Sequence, residues 1–126
     1  MPSITILVED SNRIREVLIP SMEELGSMQV VAVAETVDEA TAALALHGAE
    51  WQVAVVDLFL RQGSGLDVLR ACRDRLPHQR VVILTNYATA EIRNRCLDMG
   101  ADAVFDKSTE LDAFFDLCAS YDTPPH

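Results

Sequence analysis

Short apolar segments typical of strands alternate along the chain with segments whose apolar residues recur at helical spacing. This pattern predicts five β-strands that alternate with five helices. Three of the strands, the first, third and fourth, are mainly apolar, as is typical of parallel strands covered on both faces. Strict alternation with short loops predicts an α/β fold with a doubly wound sheet and right-handed crossovers. The predicted strands are Ile4 to Val8, Gln29 to Ala34, Gln52 to Val56, Arg80 to Leu84 and Ala101 to Phe105.

Apolar residues recur at helical spacing between the strands and predict the buried helix faces. Thr36 to Glu39 has the sequence of a capping box, and Ser64 is a candidate N-cap. Pro20 is expected to kink the first helix or to reset its start. The predicted core stripes are Ile14, Val17, Leu18, Met22 and Leu25 in the first helix, Leu66, Leu69, Cys72 and Leu76 in the third, Ile92, Cys96 and Met99 in the fourth, and Leu111, Phe114, Phe115 and Cys118 in the fifth.

The length of 126 residues fits one domain, which we expect at residues 1–121, followed by a disordered tail at residues 122–126. No output domain is expected after it, so a stand-alone domain is predicted. No apolar run approaches the roughly 20 residues of a membrane span. The N-terminus lacks the basic region, apolar run and cleavage site of a signal peptide. We therefore expect a cytoplasmic protein without membrane association.

The formal net charge is -10, with 20 acidic residues against 10 Lys and Arg. Nucleic-acid affinity comes mostly from the neutralisation of phosphates by basic residues, so direct DNA or RNA binding is not expected. Cys72, Cys96 and Cys118 lie far apart and form no CxxC pair. This spacing argues against a zinc site or a disulfide framework and favours buried, reduced thiols.

Chemically useful side chains lie at the ends of four predicted strands. Glu9 and Asp10 follow the first strand, Asp57 the third, Thr85 the fourth and Lys107 the fifth. The ligand crevice of an open α/β sheet lies at the carboxyl ends of its strands, so the acids converge if strands one and three are neighbours. Close carboxylates repel unless a cation lies between them, and Mg²⁺ prefers oxygen ligands of this kind. A carboxylate nucleophile can accept a phosphoryl group, a transfer that depends mainly on positioning and charge neutralisation.

The ordered motifs around these residues resemble those of response-regulator receiver domains. They are Ile6 to Ser11, Val55 to Leu58 with Gly65, Leu84-Thr85 and Asp106-Lys107, and the similarity covers about residues 3 to 119. The resemblance implies a flavodoxin-like fold, in which a five-stranded parallel sheet of order 2-1-3-4-5 has helices on both faces.

The resemblance also implies the role of each site residue. Asp57 would accept the phosphoryl group, while Thr85 and Lys107 would contact it. The Mg²⁺ ligands would be Glu9, Asp10, Asp57 and the backbone carbonyl of Phe59. The donor would be a phosphohistidine on a sensor histidine kinase or a phosphotransfer protein. The protein would catalyse only its own phosphorylation and dephosphorylation, and in that sense is not expected to be an enzyme.

Phosphorylation would then change a protein-binding face. The resemblance places kinase docking at Arg13, Ile14 and Val17 of the first helix. It places the contact with a downstream protein, or with a second copy in a homodimer, on the fourth helix, fifth strand and fifth helix. Phe59 and Tyr87 are expected to flank the path of an attacking water and to slow loss of the phosphoryl group. The alternative is that these rings simply pack against a helix.

Five positions depart from the family pattern. Glu9 stands where Asp is usual, Arg61 and Ser108 replace prolines, Asn86 replaces a small residue, and Val104 replaces an aromatic residue. Ser108 predicts a trans bond after the lysine. The departures keep open the alternative of a degenerate receiver that binds a partner constitutively. Within the phosphoacceptor hypothesis, the sequence does not separate output by partner binding from a phosphate shuttle or sink. A phosphatase or flavin carrier on this fold is disfavoured, because the chain has neither a DxD motif at Asp57 nor a GxGxxG motif.

Overall fold

The computed structural model describes residues 2–121. Five parallel strands form a sheet in the order β2-β1-β3-β4-β5, which confirms the expected topology. The elements are β1 (Ser3–Val8), α1 (Asn12–Leu25), β2 (Met28–Ala34), α2 (Val37–His47), β3 (Val53–Val56), α3 (Gly65–Ala71), β4 (Arg80–Thr85), α4 (Ala90–Asp98), β5 (Ala103–Asp106) and α5 (Leu111–Tyr121).

The sheet separates two hydrophobic layers. Because successive strand residues point to opposite faces, Ile6 and Val8 of β1 pack in the layer covered by α2, α3 and α4, and Leu7 packs in the layer covered by α1 and α5. Phe114 of α5 is fully buried in that second layer. Burial on both faces explains why the central strands are apolar at nearly every position.

The fifth strand begins later than the sequence predicted, at Ala103 instead of Ala101, and it ends at Asp106. Asp102 accounts for the difference. Its carboxylate accepts a hydrogen bond of 2.7 Å from the Val81 N–H and pairs with Arg75 at 2.9 Å. A side chain therefore occupies the backbone donor with which regular β4–β5 pairing would otherwise begin.

Three residues predicted to lie in the core are exposed: Val17, Leu25 and Leu76. Helix α1 packs on β2 and α5 and buries Leu18 and Met22 fully, which leaves Val17 and Leu25 outside the contact. Helix α3 ends at Ala71, so Leu76 lies beyond it and outside the helical periodicity that placed it in the core. The prediction was wrong at these positions.

Serine side chains form the N-caps of two helices. The Ser11 hydroxyl accepts a bond of 3.3 Å from the Ile14 N–H, and the Ser64 hydroxyl accepts one of 3.1 Å from the Leu66 N–H. The N-cap prediction for Ser64 is confirmed. Because α1 begins at Asn12 and includes Pro20, the proline does not reset the start of the helix.

The capping box at the start of α2 is formed in half. The Thr36 hydroxyl accepts a bond of 3.1 Å from the Glu39 N–H, as predicted. The Glu39 carboxylate accepts its bond from the N–H of Glu35, at 2.9 Å, and not from that of Thr36. The reciprocal bond is thus displaced by one residue toward the preceding strand.

The three cysteines are buried and free, as expected. Burial raises the pKa of the Cys118 thiol to about 12, so the thiol stays protonated. In residues 2–121, every helix is too short or too polar to cross a bilayer. The tail expected at residues 122–126 lies outside the described residues.

Candidate functional site

The acidic residues converge at the carboxyl edge of the sheet because β1 and β3 are neighbours. The Glu9 N–H bonds to the Ala34 carbonyl at 2.9 Å, and the Asp57 N–H bonds to the Val8 carbonyl at 3.0 Å. These bonds continue the strand pairing past the ends of β1 and β3. One carboxylate oxygen from each of Glu9, Asp10 and Asp57 lies within 4.8 Å of the others. The predicted convergence of these acids is therefore present.

Lys107 follows the edge strand β5, and its side chain reaches the acidic residues. Its Nζ donates to Glu9 Oε1 and to Asp57 Oδ2, both at 2.9 Å. Its backbone N–H bonds to the Thr85 carbonyl at 2.9 Å, which directs the residue toward the cluster. The Lys107 side chain is 10% exposed, so the ammonium is well shielded from water. One positive charge therefore faces three carboxyl groups.

The surroundings of Glu9 change its pKa. Burial raises its pKa to about 7, and the Asp57 carboxyl beside it adds to the rise, while the Lys107 ammonium opposes it. The second carboxylate oxygen, Oε2, is buried without a hydrogen-bond partner in residues 2–121. An unpaired buried oxygen is costly, and a bound cation would satisfy it. The oxygen-only ligand set suits a small, hard cation such as Mg²⁺.

The backbone around Asp57 is held by a close approach that only glycine permits. The Phe59 N–H donates to Asp57 Oδ1 at 3.3 Å. A Cβ atom at Gly65 would lie 2.2 Å from the Asp57 carbonyl oxygen and 2.7 Å from Leu58 Cα. Any larger residue at position 65 would push the start of α3 away from the strand end. This contact explains the glycine eight residues after the aspartate.

Thr85 ends β4 and is fully buried. Its hydroxyl oxygen accepts a bond of 3.2 Å from the Tyr87 N–H. Among the described residues the hydroxyl has no acceptor of its own, so its hydrogen is available to an anionic oxygen in the crevice. Asn86 does not crowd this position, because it is exposed and its amide oxygen faces the Ser108 hydroxyl at 3.4 Å.

Comparison with known families decides the class. Residues 5–118 match the family model described as the response regulator receiver domain. The chain belongs to the response regulator receiver family. Relatives include the photosynthetic apparatus regulatory protein RegA of Rhodobacter capsulatus, 33% identical over 105 residues that cover 83% of this chain and 55% of RegA.

A second relative is the acid tolerance regulatory protein ActR of Rhizobium meliloti (strain 1021). It is 32% identical over 107 residues, which cover 85% of this chain and 53% of ActR. The receiver chain thus spans about half the length of these curated relatives. Its expected stand-alone character stays a prediction.

Solved structures share the receiver fold. A LuxR-family DNA-binding response regulator from Staphylococcus aureus superposes with a TM-score of 0.83 at 17% identity, over 96% of this chain and 99% of that chain. The CheX-CheY-BeF3-Mg²⁺ complex from Borrelia burgdorferi gives a TM-score of 0.76 at 16% identity, over 93% and 90% of the two chains. At these identities the comparison establishes the fold.

Two aromatic rings lie at the mouth of the receiver site. Phe59 and Tyr87, two residues beyond Asp57 and Thr85, form an edge-to-face pair with ring centroids 5.0 Å apart. Both residues are more than half exposed, at 55% and 60%. The rings therefore contact each other, and Phe59 also borders Ile92 and Cys96 of α4. Both expectations for the rings, screening of water and packing against a helix, stay predictions.

The departures from the receiver pattern have distinct structural consequences. Val104 is buried in the hydrophobic layer beneath α2, α3 and α4. Every peptide bond in residues 2–121 is trans, in agreement with the expectation for Ser108. Arg61 forms an ion pair of 3.3 Å with Glu35.

Arg15 is a site residue that the sequence did not indicate. Its guanidinium donates to the Glu9 carbonyl oxygen at 2.7 Å and to Glu35 Oε1 at 2.8 Å. Through Glu35 it is also joined to Arg61, so one ion-pair chain links the loops after β1, β2 and β3. Two of these loops carry the acidic cluster. The helical pattern shows only that Arg15 is polar, and it does not indicate that the side chain bonds the backbone carbonyl of Glu9 and the carboxylate of Glu35.

We predict that replacing Arg15 lowers the stability of the fold more than replacing Arg61, the other arginine bonded to Glu35. Arg15→Met removes a charged donor from the Glu9 carbonyl, so it should lower the free energy of unfolding by about 1.5–3 kcal/mol. Arg61→Met breaks only an exposed ion pair and should cost about 0–1 kcal/mol. Urea denaturation monitored by far-UV circular dichroism measures both variants. Equal costs would contradict a structural role for the Arg15–Glu9 bond.

Proposed function

We propose that this receiver accepts a phosphoryl group on Asp57 from a phosphohistidine donor and thereby changes a protein-binding face. The observation that supports the proposal best is the pair of bonds from Lys107 to Asp57 and Glu9. They bring a nucleophile, a neighbouring acid and a cation into one crevice. Asp10 completes the acidic side of the crevice.

The chemistry requires few parts. A carboxylate oxygen of Asp57 attacks phosphorus, the P–N bond to the donor histidine breaks, and the imidazole takes up a proton as it leaves. The Lys107 ammonium offsets charge on the phosphoryl oxygens, and the Thr85 hydroxyl donates to one of them. The product is an acyl phosphate on Asp57. Since the acceptor is the protein's own side chain, we propose no activity on a separate substrate.

The acidic cluster would hold Mg²⁺ through Glu9, Asp10, Asp57 and the carbonyl of Phe59. The unpaired oxygen of Glu9 and the convergence of three carboxyl groups support this assignment. When bound, Mg²⁺ supplies positive charge opposite the phosphoryl oxygens. The Borrelia burgdorferi CheX-CheY structure is a complex with BeF3 and Mg²⁺.

A groove beside the site supports docking of the donor protein. It has a volume of about 360 Å³, lies between α1 and α5, and includes Lys107 at one end. Val17 at its rim is 73% exposed, which is unusual for a valine on a packed helix. An apolar helix of a sensor kinase or phosphotransfer protein fits such a surface, and its histidine would be close to Asp57. The apolar residues of the groove are Ile14, Val17, Leu18, Leu84, Leu111 and Phe115.

The complete set of Asp57, Thr85 and Lys107 argues against a degenerate receiver. A phosphate shuttle or sink uses the same chemistry and differs only in the destination of the phosphoryl group. Incubation of the phosphorylated protein with an unphosphorylated phosphotransfer domain separates these roles. Return of the phosphoryl group to histidine would identify a shuttle.

Asp57 is expected to be the site of phosphorylation. Acetyl phosphate with Mg²⁺ should add one phosphoryl mass to the wild type, and Asp57→Asn should abolish this addition because the amide is a poor nucleophile. Asp38→Asn, a change in the exposed first turn of α2, is the control and should leave phosphorylation intact. Intact-mass spectrometry provides the measurement. Full labelling of Asp57→Asn would refute the assignment.

Magnesium affinity should depend on pH through Glu9. The folded-state pKa of Glu9 is raised from 4.5 to about 7, so without metal the ionisation of Glu9 lowers stability as pH rises through this interval. Mg²⁺ requires the ionised form, so its affinity should increase up to about pH 7 and level off above it. Calorimetric titration at several pH values tests this expectation. Glu9→Gln should bind more weakly and lose most of the pH dependence, and an unchanged profile would contradict the role of Glu9.

The aromatic pair should prolong the life of the acyl phosphate. Phe59 and Tyr87 screen the approach of water to Asp57, so Phe59→Asn/Tyr87→Ser should lose the phosphoryl group severalfold faster than the wild type. Loss of the phosphoryl mass is followed after the donor is removed. Leu97→Ser, which changes an exposed apolar residue of α4, is the control. Equal rates in the double variant and the wild type would leave these rings with a packing role alone.

A further inference from the structure

Arg93 of α4 connects three parts of the receiver that no other side chain joins within residues 2–121. Its Nε donates to the Ala88 carbonyl at 2.8 Å, and its Nη1 donates to the Val104 carbonyl at 3.1 Å. Its Nη2 bonds to Glu110 Oε1 at 2.5 Å. We call this set of three bonds the Arg93 bridge. It links the β4–α4 loop, strand β5 and the segment that enters α5.

The first bond of the Arg93 bridge contacts the loop that follows Thr85. The Thr85 hydroxyl accepts the Tyr87 N–H at 3.2 Å, and Arg93 holds the carbonyl of Ala88, the next residue. Thr85 and Arg93 therefore contact two adjacent residues of one short loop. The backbone bond from Lys107 to Thr85 joins the same strands, and the Ser108 hydroxyl reaches Asn86 at the start of this loop at 3.4 Å. Tyr87 and Ala88 join the Thr85 hydroxyl to the bridge.

The second end of the bridge holds the end of β5 and the start of α5. Glu110 Oε1 accepts from Arg93 and also from the Asp106 N–H, at 2.9 Å. Glu110 immediately precedes α5, and its carbonyl accepts the Phe114 N–H of the first turn at 3.0 Å. The Arg93 guanidinium holds the pKa of Glu110 below its usual range, so this carboxylate remains charged at neutral pH. One carboxylate oxygen thus fixes β5, α5 and Arg93 relative to one another.

The bridge lies where the receiver pattern is incomplete. Val104 replaces the aromatic residue expected on β5, and its side chain is buried in the core, while its carbonyl is the group that Arg93 contacts. We propose that Arg93 is a positioning residue that couples Thr85 to the face formed by α4, β5 and α5. A planar guanidinium with several donors in fixed directions cannot follow one partner without straining its bonds to the others. The inference rests on the proposed phosphorylation of Asp57.

The experiment measures how far a change at the phosphoryl site spreads. Backbone amide NMR spectra are recorded with and without beryllofluoride and Mg²⁺, a stable mimic of the phosphoryl group. In the wild type we expect shifts at residues 86–89 and, apart from Lys107 and its neighbours at the site, at residues 104, 105 and 110–112. In Arg93→Met the shifts at 86–89 should persist, while those at 104, 105 and 110–112 should fall to roughly half or less, because the connecting bonds are lost.

Three further variants make the result specific. Arg95→Met lies on the same helix, and the Arg95 side chain makes no hydrogen bond in residues 2–121, so this variant should behave as the wild type does. Arg93→Lys retains the charge without the planar fork and should not restore the spread. Glu110→Gln removes the charge of the partner and should reduce the spread even if Arg93→Met folds poorly.

The outcomes separate this inference from the proposed function. Undiminished shifts at residues 104, 105 and 110–112 in both Arg93→Met and Glu110→Gln would overturn the coupling role of Arg93. A wild type that responds at 86–89 but not at 104, 105 and 110–112 would also overturn it, while leaving phosphorylation at Asp57 intact. A wild type without any response would refute the proposed function, and the coupling role would fall with it.

Discussion

The receiver site depends on one electrostatic constraint, which is that three carboxyl groups must share the edge of a sheet with a single ammonium group. Lys107 can bond both Glu9 and Asp57 because β5 extends past the level at which β1 and β3 end, across the intervening β4. The remaining negative charge is not balanced by the residues that surround it. Burial and the neighbouring Asp57 carboxyl raise the pKa of Glu9, and one of its oxygens has no partner among residues 2–121. A site in this condition favours ligands that bring positive charge or that redistribute the existing charge.

This constraint also accounts for the supports around the site. Carboxylates that repel one another must be held by the backbone, since their own interactions push them apart. Gly65 allows α3 to press against the Asp57 backbone, and Arg15 ties the Glu9 carbonyl to the next loop. These contacts are made between protein groups alone. The site is therefore positioned before a cation or a phosphoryl group arrives, which lowers the reorganisation needed for transfer.

Much of this arrangement was predictable, and the limits have physical causes. Strand periodicity and the resemblance to receivers located Glu9, Asp57 and Lys107, because position at a strand end is encoded locally. The start of β5 was not predictable, since it depends on a side-chain bond from Asp102 to a strand 21 residues earlier. Arg15 and Arg93 were missed for a related reason. Each donates to backbone carbonyls outside its own helix. Because every residue has a backbone carbonyl, the sequence does not show which one a side chain will bond.

Val104 stands where the receiver pattern has an aromatic residue on β5. An aromatic switch works by movement of a ring between two packed positions, so its coupling depends on vacant volume near the strand. A guanidinium bridge works by remaining bonded, so its coupling depends on the direction of its donors. The Val104 side chain fills the core and its carbonyl accepts a bond from Arg93, which suits the second device and not the first. The valine and the arginine are thus consistent as a pair: a ring at position 104 that moved the strand would strain the bond that Arg93 makes to it.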